Sequence, residues 1–149
     1  GRFGHLLKEI SQRSGGDVVS IETEWGTVFT PEEIEAAVVK HKPKILAISQ
    51  GDTSTTMKQP LRELAEICHR HGALIYVDAT ASLGGNALPV DDWGLDIVSI
   101  GLQKCMSGPP VHNVHSLSWV STTTMLSLEF IGVNRQPTII LKCMQTTTI

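Results

Sequence analysis

What this chain lacks narrows its function first. It has no basic excess: 12 Lys and Arg stand against 15 Asp and Glu, a formal net charge of −3 over 149 residues. Nucleic acid and anionic membrane surfaces are held by clustered cations, so neither is an expected partner. No apolar run approaches the ~20 residues needed to span a bilayer, and no secretory signal is read at its start. Cysteine is scarce. Cys68, Cys105 and Cys143 show no metal-ligand spacing, and an odd number argues against a closed disulfide framework. The expected compartment is therefore the cytoplasm, with no metal site. A phosphate-binding glycine signature is missing too: "EWGTVF", after the first expected strand, is neither G-x-G-x-x-G nor G-x-x-x-x-G-K-[ST]. An initiator methionine is absent as well. "GRFGHLLKEI" already reads as helix, so the chain is expected to be part of a longer protein.

What is present reads as an ordinary globular α/β chain. Phe3, Leu6, Leu7 and Ile10 fall on one face of a helix over residues 3–13, stopped by "SGG". "DVVSIE" is a short β-branched strand. Thr30, Pro31 and Glu33 have the spacing of a capping box with proline at the first helical position, opening a helix to about residue 41. "KPKILAIS" is a buried-type strand, and "GDTSTTMKQ" is expected to be an irregular polar loop. Pro60 is expected to open the next helix, with Leu61, Leu64, Ile67, Cys68 and His71 on one face and Gly72 as its stop. "ALIYVD" and "LDIVSIGL" are two further strands, separated by the loop "ATASLGGNALPVDDWG". Strands alternating with helices predict a mainly parallel sheet flanked by helices, whose order is left open.

Three polar groups stand at three strand ends: "GDTST" after one strand, Asp78 closing the next, and "QK" after the last. In open α/β sheets those ends form the ligand crevice. Each residue also has a plainer reading. Lys104 is either a solvated lysine or an amine placed for chemistry, and Asp78 is either a loop cap or a ligand contact. His69 and His71 flank a helix end with no third ligand nearby, which favours surface or half-packed positions over a metal. Together, a lysine, a carboxylate and hydroxyls at neighbouring strand ends suit pyridoxal phosphate, which needs an amine for its aldehyde and a carboxylate for its ring nitrogen.

The stretches "GRFGHLL", "EWGTVF", "ISQGDTSTTMKQPL", "YVDATASLGGNALPVDDWGLDI" and "GLQKCMSGPP" resemble the class V, fold-type I pyridoxal-phosphate aminotransferases. Within these, the chain is most similar to the alanine–glyoxylate and serine–pyruvate group, and more finely to bacterial (S)-ureidoglycine–glyoxylate aminotransferases of purine catabolism. The resemblance covers residues 1–110, and it implies that this stretch is part of the large, cofactor-binding domain. It implies further that Lys104 is the Schiff-base lysine, with Gln103 on the phosphate side. Asp78 would then partner the pyridine nitrogen, with Thr80 packed under the ring and Thr53 bonded to the ring oxygen. The implied substrates are an amino donor and glyoxylate, and the implied assembly of the full-length protein is a homodimer. Cys105, beside Lys104, would be packed beneath the cofactor, which is not the loop position a cysteine desulfurase or another pyridoxal-phosphate lyase would need.

After Pro110 the resemblance stops. Residues 111–149 carry only Glu129, Arg135 and Lys142 as charges, with threonine runs at "STTTM" and "QTTTI". With suitable synonymous codons, Phe130 to Met144 reads in a shifted frame as "YWGEPTTNHHTEMY", close to the "YW…NHHTE" segment of the family. The tail is therefore expected to be an out-of-frame translation, irregular and without a domain of its own. Three outcomes stay open from sequence: an aminotransferase fragment inactive alone, a catalytically dead remnant, or an alanine- or serine-dependent relative.

Overall fold

Thr30 starts the best-defined helix of the chain. Its hydroxyl accepts the Glu33 amide at 3.3 Å, and the Glu33 carboxylate accepts the Thr30 amide at 2.9 Å, the reciprocal bonds of a capping box. With Pro31 in the first turn, this fixes α2 at Pro31–His41, and Lys42 closes it in a left-handed conformation. The computed structural model describes residues 2–108, 113–117 and 138–143. Before α2 come α1, Arg2–Arg13, and β1, Val18–Thr23. After it come β2, Ile45–Ser49, a short hairpin of β3, Gly51–Asp52, and β4, Met57–Lys58, and then α3, Arg62–Arg70. Next are β5, Leu74–Asp78, β6, Ile97–Gly101, β7, Asn113–Leu117, and β8, Thr138–Cys143.

Six of these strands form one sheet in the order β1-β8-β2-β5-β6-β7. All neighbours pair in parallel except β6 and β7. α2 and α3 are the crossover helices of parallel strands, and they pack on each other. The core lies between these helices and the sheet. Ile34, Ala37 and Val38 of α2 and Leu64, Ala65, Ile67 and Cys68 of α3 meet Leu46, Ile48, Ile75, Val77, Val98 and Ile100 of the strands. β5 alternates, burying Ile75 and Val77 and leaving Leu74, Tyr76 and Asp78 half-buried on its other face.

Several expectations are corrected. The "GDTSTTMKQ" stretch contains a hairpin, not an irregular loop: the amide and hydroxyl of Ser54 bond Asp52 Oδ1 at 3.0 and 2.6 Å, and Thr56 reverses the chain at φ 60°. The third helix begins at Arg62, two residues beyond Pro60, and Leu61 has no side-chain cap. Of the expected apolar face of α1, Leu7 is half-buried while Phe3, Leu6 and Ile10 stay 47–51% exposed among the described residues. Within the tail, expected to be irregular, the two described stretches, 113–117 and 138–143, are strands of the sheet. β8, TIILKC, is rich in β-branched residues and lies between β1 and β2, while β7, with one β-branched residue, pairs antiparallel with β6. The threonine runs at 122–124 and 146–148 lie outside the described residues.

At the amino end of the strands a buried carboxylate ties three elements together. Asp96 Oδ2, on a side chain 5% exposed, accepts the Ile75 amide at 2.8 Å and lies 3.0 Å from His69 Nε2 at the end of α3. Asp96→Ala removes the acceptor of a buried amide, and it is expected to cost about 2 kcal/mol in urea unfolding. A loss below a few tenths would show that water satisfies both donors. The neighbouring Cys68 thiol is pushed up to about 12, mainly by burial and secondarily by the Asp96 charge. At pH 8 an alkylating reagent is expected to label the exposed Cys105 and to leave Cys68 untouched until the chain unfolds. The unfolded thiol ionises near 9 and the folded one near 12, so Cys68 makes folding less favourable as pH rises through that window.

Candidate active site

Register places the site. Ser49 of β2 pairs with Asp78 of β5, and Asp78 pairs with Ser99 of β6, so β2 and β5 end level and β6 runs two residues further, to Gly101. The chain leaves each strand at the same edge. The Gln50 amide then bonds the Asp78 carbonyl at 2.9 Å, and the Ala79 amide bonds the Ser99 carbonyl at 2.9 Å, which carries the ladder into the loops.

Asp78 is the last residue of β5 and half-buried. Its Oδ1 accepts the Thr80 amide at 3.0 Å. Two residues back on the same face, the Tyr76 hydroxyl donates to Ser99 Oγ at 2.8 Å. Burial raises the Tyr76 phenol above its ordinary range; the Ser99 bond opposes this and the Asp78 charge adds to it. The phenol therefore stays protonated and remains a donor.

Gly101 ends β6, and two of the residues singled out from sequence close over it. A Cβ on Gly101 would sit 2.8 Å from Thr80 Cγ2 and 2.9 Å from Gln103 Oε1. A Cβ there would push at least one of these side chains aside. The next residues make a tight turn: the Lys104 amide bonds the Gly101 carbonyl at 3.2 Å, the Ser107 amide the Lys104 carbonyl at 3.0 Å, and the Gly108 amide the Leu102 carbonyl at 2.7 Å. Lys104 is exposed on this turn.

Thr53 stands in the exposed turn between β3 and β4. It is joined to the others through Gly51, whose missing Cβ would lie 3.4 Å from Ser82 Cβ. Burial would raise the Asp52 carboxyl beside it, but hydrogen bonds from the hydroxyl and amide of Ser54, helped by Thr55, hold it below its ordinary range. The structure thus gathers Asp78, Thr80 and Gln103 at one place, with Lys104 one turn on, and carries Thr53 on a separate hairpin. Cys105 differs from its expected packing: it is exposed, with Sγ 3.9 Å from the Ala81 carbonyl and 3.1 Å from where a Gly85 Cβ would be. His69 and His71 bond Asp96 and Glu35. Among the described residues, no group of three or more His, Cys, Asp or Glu could hold a metal ion. Nor, among them, is any helix long and apolar enough to cross a membrane.

Sequence reasoning passed over Gln50, Gln59 and Ser82. The Gln59 amide group accepts from the Phe29 N–H and donates to the Phe29 carbonyl, both at 2.9 Å, and so clasps the loop before α2 to the segment before α3. A polar residue directly after an apolar strand, as in "ISQGD", was the available signal for Gln50. Nothing in the spacing pointed to Ser82.

A parallel α/β domain with an amine, a carboxylate and hydroxyls at the carboxyl ends of its strands is the class of protein these features define. The chain belongs to the class-V aminotransferases, whose family model matches residues 5–110. It is 49% identical over 109 residues to the (S)-ureidoglycine–glyoxylate transaminase of Bacillus subtilis, a match covering 73% of this chain and 26% of that one. It is 38% identical over 110 residues to the alanine–glyoxylate aminotransferase of Drosophila melanogaster, covering 73% of this chain and 28% of that one. The crystal structure of the B. subtilis ureidoglycine–glyoxylate aminotransferase superposes with a TM-score of 0.79 at 39% identity, over 91% of this chain and 34% of that one. The chain spans about a quarter of the length of the curated relatives it matches.

Proposed function

We propose that this chain is the cofactor-lysine portion of a pyridoxal-phosphate aminotransferase that passes an amino group to glyoxylate, with (S)-ureidoglycine as the donor. The observation that carries the reading is that β2, β5 and β6 run parallel and present their carboxyl ends on one side of the sheet, with Asp78 and the Lys104 turn following adjacent strands. The residues fit the cofactor. Asp78 is half-buried and keeps one oxygen for a donor outside its own loop, Lys104 is open to solvent, and the Thr80 methyl and Gln103 amide form a cradle over Gly101 that a Cβ would fill. When bound, the cofactor supplies an electron-accepting ring next to the substrate's α-carbon.

The protein's own part is electrostatic and positional. The Asp78 carboxylate would keep the ring nitrogen protonated by pairing with it. Thr80 would pack against the ring, and Gln103 would contact the phosphate side. Thr53 offers its hydroxyl to the ring oxygen from the hairpin. The Lys104 amine would hold the cofactor and, when free, would be the base that moves a proton at the substrate's α-carbon. The choice of donor is supported by the name of the 49%-identical relative, and the 38% identity to an alanine–glyoxylate enzyme favours alanine as the second reading.

The chain mixed with pyridoxal phosphate and reduced with borohydride is expected to carry its label on Lys104 alone. Scattered labelling, or none, would overturn the cofactor reading and leave a remnant that is catalytic by descent only. A half-reaction faster with (S)-ureidoglycine than with alanine supports the first donor, and the reverse order supports the second. The family match ends at residue 110, and this supports the shifted-frame origin of residues 111–149. Sequencing the encoding DNA tests that origin directly.

A further inference from the structure

Behind the site lies a polar pair that no ligand could touch. Gln50 is 1% exposed and Ser82 is 2% exposed, and the Ser82 hydroxyl donates to Gln50 Oε1 at 2.5 Å. Buried amides and hydroxyls are costly unless satisfied, so a pair kept dry in this position has a structural task. The surrounding bonds show what it holds. The Gln50 amide grips the Asp78 carbonyl at 2.9 Å, while its side chain grips Ser82 four residues further on. Between those two points lie Asp78 and Thr80. Ser82 is also the hub of the loop that follows: its amide bonds the Ala79 carbonyl at 3.0 Å, and its carbonyl takes the amides of Gly85 and Asn86 at 3.2 and 2.8 Å. On the other side, the Gln59 amide bonds the Gln50 carbonyl at 2.8 Å, and Gly51, next in chain, begins the hairpin that carries Thr53.

We propose that Gln50 and Ser82 are the positioning residues of the cofactor site, a buried brace that holds the Asp78 carboxylate and the Thr53 hairpin at a fixed separation for pyridoxal phosphate. The inference rests on the cofactor reading above and deepens it. Asp78 Oδ1 is occupied by the Thr80 amide, so the direction of Oδ2 follows the conformation of segment 78–82. Gln50 clamps that segment at both ends. The brace touches neither cofactor nor substrate and acts through Asp78.

The test uses Gln50→Met, which keeps the side-chain volume and removes the acceptor, and Ser82→Ala, which removes the donor. The control is Asp96→Ala, which weakens the fold at the opposite end of the strands. Without cofactor, the Ala79–Leu83 amides of both brace variants are expected to exchange with deuterium about tenfold faster, the loss of one hydrogen bond. With 15N-labelled pyridoxal phosphate bound, the ring-nitrogen resonance of the variants is expected to move toward that of unprotonated pyridine. Affinity is expected to fall roughly tenfold, as when a supporting contact behind a ligand group is lost. Asp96→Ala is expected to leave the resonance in place. A resonance unmoved in both brace variants overturns the positioning role, even if stability falls. Unchanged exchange overturns the brace itself. A wild-type chain that leaves pyridoxal phosphate unbound overturns the cofactor reading and the positioning role with it, while the exchange experiment still reports separately on the brace.

Discussion

Replacing Lys104 with alanine is expected to abolish the borohydride-fixed cofactor adduct and, wherever the protein transaminates, to slow it by about a thousandfold or more. The side chain is exposed on a turn held by main-chain bonds from Lys104 to Gly101 and from Ser107 to Lys104. Alanine preserves those bonds, so the unfolding midpoint should stay within about 0.5 kcal/mol of the parent. Arginine should fail as well, because a guanidinium stays protonated and neither attacks an aldehyde nor takes up a proton. Lys58, exposed on the hairpin, is the control: its replacement should leave the adduct intact. An adduct that survives Lys104→Ala would move the amine chemistry to another lysine and remove the main support for the proposed function.

The largest effect on stability is expected at Leu64. Its side chain is 1% exposed, in the cluster that joins α3 to α2 and to the strands. Leu64→Ala removes about three methylene equivalents from a packed interior and leaves a cavity, a loss of about 3 kcal/mol. Against a total of roughly 5–15 kcal/mol for a domain, that is enough to broaden or abolish a cooperative urea transition. Val39, 50% exposed on α2, provides the contrast, with an expected change near zero for Val39→Ala. Equal effects at the two positions, followed by circular dichroism in urea, would show that the α2–α3 layer is not the stabilising core.

The exposed α1 stripe and the site have one feature in common. Each has a face that the described residues leave open: Phe3, Leu6 and Ile10 on the helix, and Lys104 with Gln103 at the sheet edge. Both sit in a chain that covers about a quarter of its curated relatives. Periodicity located the apolar stripe of α1 correctly, but it could not say whether a partner lay against it. Whether an apolar face is a core face depends on the layer that covers it.

How much of this was written in the sequence can be judged residue by residue. Local signals settled local structure. Thr30, Pro31 and Glu33 fixed the start of α2 because a capping box needs only four consecutive residues. Gly72 ended the α3 region at φ 72°, and the apolar runs at 45–48 and 97–100 became buried parallel strands. From the residues alone, the lysine, the carboxylate and the hydroxyls at strand ends only suited pyridoxal phosphate; the roles expected of Thr53, Asp78, Thr80, Gln103 and Lys104 came from the resemblance to the family. The sequence by itself therefore determined the α/β class, the family and most elements through residue 101, the β3–β4 hairpin apart. Only the tertiary structure decided the rest. Strand order, the register of β2, β5 and β6, the insertion of β8 between β1 and β2, and the gathering of Thr80 and Gln103 over Gly101 all depend on contacts between distant segments. So does the Gln50–Ser82 pair, 32 residues apart. Pattern reading reaches as far as one helix or strand, whereas a hydrogen bond in the interior is fixed by which segments the fold brings within 3 Å.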